Sequence, residues 1–344
     1  MTTQGTHSKI KTTASIVANR SGFLDAYASL KGAVEPQVII LLYHLISPDL
    51  DKRFLATVLS PQSFDKQIEN LGRKYELLSL DKLAWYIQQG KTLPKKAIVI
   101  TIDDGYKDNY LYAYPILKKH NAPATMFIAT GYIGTDRLFW YNKVKYIFQA
   151  THQAEANSDE LGTFRLQSTI DKLKASSTAR EKLKKMPEQL RNSVVDKLAY
   201  SLGVNIPESL GKNTILSWDE IREMNNNGIA FGAHTVNHPI LTGIPLKQAK
   251  QEIMQSKKDM EEKLGQPVTS FAYPNGGHRD FNRDIANLVK ETGVLCAVTA
   301  IPRWITLKTN LYELGRIRVS DDQDQSKVLF SGLYGDLRLY RLLQ

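Results

Sequence analysis

Apolar residues occur along this chain in short unbroken runs, separated by stretches in which they recur at helical spacing. Val38-Ile39-Ile40-Leu41-Leu42-Tyr43, Ala97-Ile98-Val99-Ile100, Thr125-Met126-Phe127-Ile128-Ala129 and Ile229-Ala230-Phe231-Gly232-Ala233 show no polar alternation, which predicts parallel strands covered on both faces. Weaker runs at 76–80, 268–273, 294–299 and 316–319 predict further strands. Between them, Ser60-Pro61 opens a helix with Phe64, Ile68 and Leu71 on one side. Helices are also predicted at 83–89, 110–120, around Trp218, at 249–264 before Gly265, and at 285–292. This βαβα alternation predicts an α/β fold with a parallel sheet or barrel. The rhythm breaks from about Gly131 to Gly211, where no strand pattern stands out and 171–200 is a lysine-rich helical stretch. A segment of about 80 residues is too long for a loop, so it reads as a helical insertion. The expected organisation is a polar leader over 1–36, then a barrel over 37–344 carrying that insertion. A solvated face is the ordinary use of such lysines, and capping a site or binding an acidic partner is the other.

Composition narrows the classes. Of the 344 residues, 42% are hydrophobic and 23% charged, enough for a sizeable core in a soluble protein. The formal net charge of +10 favours an anionic partner such as a phosphorylated substrate, an acidic glycan or a membrane surface. No zinc knuckle, aromatic RNA-binding stripe or basic recognition helix is present, so nucleic acid is not expected. Cys296 is the single cysteine, which excludes an intrachain disulfide and a cysteine-rich metal site. No run reaches the roughly 18 apolar residues that span a bilayer, and 1–20 lacks an apolar signal core, so the expected compartment is the cytoplasm. The stretch 328–344 has amphipathic helical spacing. It would pack on the barrel or lie peripherally on a membrane surface.

The chemistry gathers at predicted strand ends. Thr101-Ile102-Asp103-Asp104-Gly105 follows a buried strand, and two adjacent carboxylates repel unless a cation or a shared proton relieves them. The glycine behind them permits a turn that brings both to one place. His234-Thr235-Val236-Asn237-His238 puts two imidazoles at i and i+4, one helical turn apart, where they could face one cation. One carboxylate of the pair would complete a two-histidine, one-carboxylate set with positions left open, as a catalytic divalent metal requires. His44, the Pro274-Asn275-Gly276 turn and Arg316 also sit beside strand ends, which in parallel barrels meet on one face.

These residues resemble a known family. Thr101 to Gly105, His234 to His238 and Phe271-Ala272-Tyr273-Pro274-Asn275-Gly276 are similar to the first three motifs of the NodB-homology polysaccharide deacetylases, carbohydrate esterase family 4. The resemblance implies a distorted (β/α)7 barrel and metal-dependent removal of an N-acetyl or O-acetyl group from a sugar or polysaccharide precursor. It implies Asp103 as general base, with Asp104, His234 and His238 holding the metal, zinc first and cobalt or nickel as alternatives. The family's usual C-terminal Leu-X-His is missing, since no histidine follows His278. Tyr43-His44 instead resembles the rearranged subgroup of poly-N-acetylglucosamine deacetylases, in which an N-terminal histidine is the general acid. Arg316 would tether the base.

A histidine suits protonation of a departing amine because it titrates near neutrality. The oxyanion would rest on the metal and the Asn275 N–H, in a turn formed with Tyr273 and Pro274. Tyr273, Trp140, Trp218 and Trp304 could stack on sugars, although core packing is the commoner fate of such rings. Two rivals stand beside this reading: hydrolysis of a formyl group or other amide or imide on the same barrel, and a non-catalytic glycan-binding protein.

Overall fold

The structure, a computed structural model, describes residues 37–49 and 57–319. The leader and the stretch 328–344 lie outside the described residues.

The chain opens with β1 (Val38–Tyr43), β2 (Leu45–Ile46), β3 (Val58–Leu59), helix α1 (Pro61–Lys74), β4 (Glu76–Leu77) and α2 (Leu80–Gln88). Both helices begin on a serine whose hydroxyl accepts a backbone N–H, from Ser63 and Lys82 respectively. Next come β5 (Ala97–Ile102), a π-turn at Asn109–Ala113 running into α3 (Tyr114–Lys119), and β6 (Ala124–Ile128). A second series follows: α4 (Trp140–Ala150), a hairpin of β7 (Glu155–Ser158) and β8 (Gly162–Arg165), α5 (Thr169–Leu183) and α6 (Glu188–Ser201). The chain then returns with α7 (Trp218–Asn226), β9 (Ala230–Ala233), α8 (Leu246–Leu264), β10 (Ser270–Ala272), α9 (Arg283–Glu291), β11 (Cys296–Val298) and β12 (Ile317–Arg318).

The main sheet runs β11-β10-β9-β6-β5-β1-β12, with β4 also on β5, and every pairing in it is parallel. It curls into a distorted barrel of the expected α/β class. The two end strands are drawn together by the segment before β12: Ala297 donates to the Leu311 carbonyl at 2.8 Å and Thr299 to that of Leu314 at 2.8 Å.

Strand alternation divides the core in two. Ile39, Leu41, Tyr43, Ile98, Ile100, Phe271 and Tyr273 pack outward in one cluster with the helices. Val38, Ile40, Ala97, Val99, Phe127, Ala272, Val298 and Leu314 belong to a second cluster inside the curve of the sheet. Gly232 of β9 is required by this interior: a Cβ there would lie 2.3 Å from the Phe127 ring. Continuing the same parity past the apolar layer brings Leu42 and His44 above Ile40, and Thr101 and Asp103 above Val99. The inward face thus turns polar at the C-terminal ends of the strands.

The segment 131–211 has its own apolar cluster, in which Trp140, Val144, Ile147 and Phe148 meet Phe164, Leu183, Val194 and Leu198. It includes an antiparallel hairpin where the sequence suggested no strand. Glu155-Ala156-Asn157-Ser158 has little β propensity, and the pairing is set by the turn at Gly162 and by burial of Ala156 and Phe164.

Candidate metal centre

At the end of β5, Asp103 remains extended and its N–H donates to the Tyr43 carbonyl at 3.0 Å. Asp104 then turns sharply, with φ of 76°, followed by Gly105 at 72°. The reversal directs both carboxylates into one cavity of about 190 Å³. Six described non-glycine residues have positive φ, and four of them, Asp104, Thr235, His238 and Asn275, are in the motifs around this cavity. Such conformations cost on the order of 1–3 kcal/mol each and concentrate where a site dictates the backbone.

The segment from His234 to His238 is a bent loop, not the helical turn its i, i+4 spacing suggested. Thr235 at φ 65° and His238 at 55° curl it back on itself. The carboxylate of Glu252, on α8, holds the curl by accepting from the N–H groups of Val236 at 2.9 Å and Asn237 at 2.8 Å. The loop brings His234 Nε2 to 3.8 Å and His238 Nε2 to 3.6 Å from the same oxygen of Asp104. Those separations are too long for hydrogen bonds. They approach the ~3.3 Å edge of a tetrahedron with metal–ligand bonds of about 2.0 Å.

The ligand atoms of Asp104, His234 and His238 all lie within 4.8 Å of one another, and all three residues are buried. His234 Nδ1 lies 2.6 Å from the Ala272 carbonyl oxygen, so it must carry the proton, and Nε2 keeps its lone pair for a cation. Burial raises Asp104 to about 7, with the neighbouring Asp103 charge adding to the rise and the Tyr141 hydroxyl opposing it. A divalent cation would relieve both effects. The donor set therefore fits a metal of the class that takes imidazole and carboxylate ligands.

Asp103 is held differently. Arg316 Nη1 and Nη2 donate to its two oxygens, each at 2.7 Å, while Nε donates to the Thr299 carbonyl at 2.9 Å and Nη1 also to Thr101 Oγ1 at 3.1 Å. Burial pushes the carboxyl up, but the Arg316 charge and its paired hydrogen bonds outweigh this and bring Asp103 down to about 2. His44 lines the same cavity. Its carbonyl accepts from Asn109 Nδ2 at 2.7 Å, and the Ile46 N–H donates to Asn109 Oδ1 at 3.0 Å, so one side chain grips the backbone around it. Burial and the Arg318 charge hold its imidazole well below the ordinary range.

The third motif divides. Asn275 borders the cavity, and its buried Nδ2 has no hydrogen-bond partner among the described residues. Tyr273 does not face the cavity, contrary to the substrate-side expectation. One residue past Ala272 it takes the opposite parity, its ring stacks on Phe281 at 4.3 Å, and its hydroxyl donates to the Tyr312 carbonyl at 2.9 Å. Pro274 is buried beside it and does not line the cavity either. Trp218 and Trp304 pack against the outer core, whereas Trp140 lines the cavity. His278 is exposed, and His120 pairs with Asp65 at 2.6 Å on the helical side.

Sequence reasoning missed Tyr141 and Lys145 of α4, Arg180 of α5, Lys184 after it, and Arg318 of β12, all of which line the cavity. Arg318 was findable, since it stands two residues from Arg316 on a predicted strand and so shares its face.

The model of the polysaccharide deacetylase family matches residues 90–297, more than half of the chain. The chain belongs to the polysaccharide deacetylase family. Among its relatives in the family, YxkH of Bacillus subtilis (strain 168), which bears the same family name, is 24% identical over 297 residues, covering 86% of this chain and 76% of that protein. A poly-β-1,6-N-acetyl-D-glucosamine N-deacetylase of Staphylococcus aureus (strain N315) is 39% identical over 79 residues, only 23% of this chain and 27% of that one. The fold is that of Streptococcus pyogenes deacetylase PplD, solved in complex with acetate, at TM-score 0.58 and 21% identity over 86% of this chain and 98% of PplD. IcaB of Ammonifex degensii superposes with a TM-score of 0.56 at 17% identity, over 86% of this chain and 97% of IcaB. Among the described residues, no helix is long and apolar enough to cross a membrane.

Proposed function

We propose that this polysaccharide deacetylase-family chain is a metal-dependent hydrolase that removes N-acetyl groups from a sugar or glycan. The observation that carries the reading is the meeting, in one cavity, of the Asp104-His234-His238 cluster with an Asp103 carboxylate that Arg316 grips with two bonds. The name of the staphylococcal relative and the acetate held by PplD supply the direction of the chemistry.

Asp104, His234 and His238 would hold the divalent ion, zinc, cobalt or nickel. When bound, it supplies Lewis acidity to an amide carbonyl and lowers the pKa of water. Asp103 is kept ionised and oriented by Arg316. Its low basicity is tolerable because the proton it accepts comes from an acidified water. His44, neutral at rest, takes up a proton as negative charge grows in the site and passes it to the departing nitrogen. Asn275, at the rim, offers donors to the developing oxyanion.

The test is acetate release from N-acetylglucosamine oligomers by metal-supplemented protein, run beside formate release from N-formyl analogues. Acetate from the amide supports the reading. Formate alone would transfer the site to the deformylases, and release of neither from protein that retains metal would leave only glycan binding.

A further inference from the structure

His44 Nδ1 is buried and has no hydrogen-bond partner among the described residues. A histidine that moves protons is ordinarily oriented by a bond to the ring nitrogen that does not react. Without one, the orientation of His44 falls to its backbone. The residue stands between β1 and β2, where the parallel pairing with β5 has just ended at Tyr43 and Ile102. Beyond it β2 leaves the main sheet and pairs with β3, Leu45 opposite Val58. The backbone of the proposed proton donor is thus at a junction that the sheet itself does not hold.

Asn109 supplies the hold. It is fully buried, its Nδ2 donates to the His44 carbonyl at 2.7 Å, and its Oδ1 accepts from the Ile46 N–H at 3.0 Å. One amide therefore serves both backbone groups as a neighbouring strand would. A carboxylate could only accept, and a glutamine carries the amide one methylene farther. Asn109 is itself fixed by its backbone. Its N–H donates to the Tyr106 carbonyl at 3.0 Å, and its carbonyl accepts from the Tyr114 N–H, the bond that makes 109–113 a π-turn. Such turns are rare and gather at functional sites. This one closely follows Asp103-Asp104-Gly105, so the loop that presents the base and a metal ligand also carries the residue that grips His44.

We propose that Asn109 is a positioning residue for the proton donor: by tying the His44 backbone to the loop of Asp103 and Asp104, it sets where the imidazole stands relative to the base. Asn109 does not line the cavity and acts only through His44. The inference rests on the deacetylase reading with His44 as the acid, and adds the residue by which that acid is placed.

The test uses full-length, zinc-loaded protein. Asn109→Asp keeps the size and an acceptor for Ile46 but sets an oxygen against the His44 carbonyl, and Asn109→Ala removes both bonds. Each variant is followed by zinc content, thermal unfolding, kcat for acetate release from N-acetylglucosamine oligomers, and kcat on 4-nitrophenyl acetate. Both should keep about one zinc ion per chain. Turnover of the amide should fall about tenfold or more. The ester, whose leaving group departs without a proton, should stay within about twofold of the parent. In a His44→Ala background Asn109→Asp should cost less than about twofold more, because the group it places is gone.

Equal losses on amide and ester, or a loss in the His44→Ala background as large as in the parent, would show Asn109 serving the fold alone and overturn the proposal. Unchanged amide turnover in both variants, or loss of zinc or of cooperative unfolding in both, would overturn it too. In each of these cases the parent still releases acetate and the deacetylase reading stands. Failure of that reading shows in the parent instead: no acetate from the amide in zinc-loaded parent protein overturns it, and the placement of an acid with it.

Discussion

Arg316→Gln removes the guanidinium from a buried Asp103 and leaves the carboxylate without its cation. Arg316 is 1% exposed and donates four hydrogen bonds, two of them to Asp103. The displacement of Asp103 from 3.8 to about 2 corresponds to roughly 2–2.5 kcal/mol of preference for the ionised form. Breaking a buried pair usually costs more, about 3–5 kcal/mol, because the desolvated charge that remains has no compensation. For a body of this size that is a fall in Tm on the order of 10 °C.

Asp103→Asn is also destabilising. It leaves Arg316 its Thr101 and Thr299 acceptors, so the double variant should be far less damaged than the two losses added. A cycle of urea unfolding on the four proteins should give a coupling of about 2 kcal/mol or more. The pH dependence follows in sign. In Arg316→Gln burial alone holds the Asp103 carboxyl above its ordinary value, whereas Arg316 brings it to about 2 in the parent, so the parent's advantage should shrink as pH falls into the acid range and be lost by about 2. Additivity within about 0.5 kcal/mol would refute the idea that the two side chains act as one unit.

Three further outcomes follow from the same geometry. Asp104 in metal-free protein is raised to about 7, so its burial favours the fold below pH 3.8 and that contribution is lost as pH rises through about 7. Metal restores it, and the thermal shift on adding zinc should therefore be larger at pH 8 than at pH 5, with about one proton released per ion at the acid end; a pH-independent shift would contradict this. Glu252→Ala frees the curl that carries His238 and should weaken metal affinity by about 10–100-fold, measured by competition with a chelator, with unchanged affinity as the adverse result. His44→Ala should lower kcat on an amide by roughly 10²-fold while sparing an ester with a good leaving group, whose departure needs little protonation; equal losses on both substrates would remove His44 from the acid's role.

The barrel was legible because two-sided burial leaves unbroken apolar runs such as Val38–Tyr43, all six of whose residues are buried. The same property hides which parity faces inward, since neither face alternates with polar residues. That is why Tyr273 was placed on the substrate side when it points into the outer core, while Ala272, next to it, faces in. Asp103, Asp104, His234 and His238 were legible as a cluster because rare residue types recur at strand ends. The shape of the His234–His238 loop was not, because Thr235 and His238 in left-handed backbone give no signal in composition. The basic rim was hidden for another reason. Lys145 and Arg180 lie on helices that carry other, solvated lysines, Lys184 follows one of them, and only the packing of that segment on the barrel singles them out.

The central claim divides two adjacent aspartates between different tasks, and metal content measured beside turnover tests it most directly. Parent protein and the Asp103→Asn, Asp104→Asn and His234→Ala variants would be loaded with zinc, dialysed and assayed by atomic emission, then for acetate release. The account predicts about one ion per chain in the parent and in Asp103→Asn, with turnover only in the parent, and loss of both ion and turnover in Asp104→Asn and His234→Ala. An Asp103→Asn protein that loses its metal while Asp104→Asn keeps it would contradict the assignment and exchange the two roles.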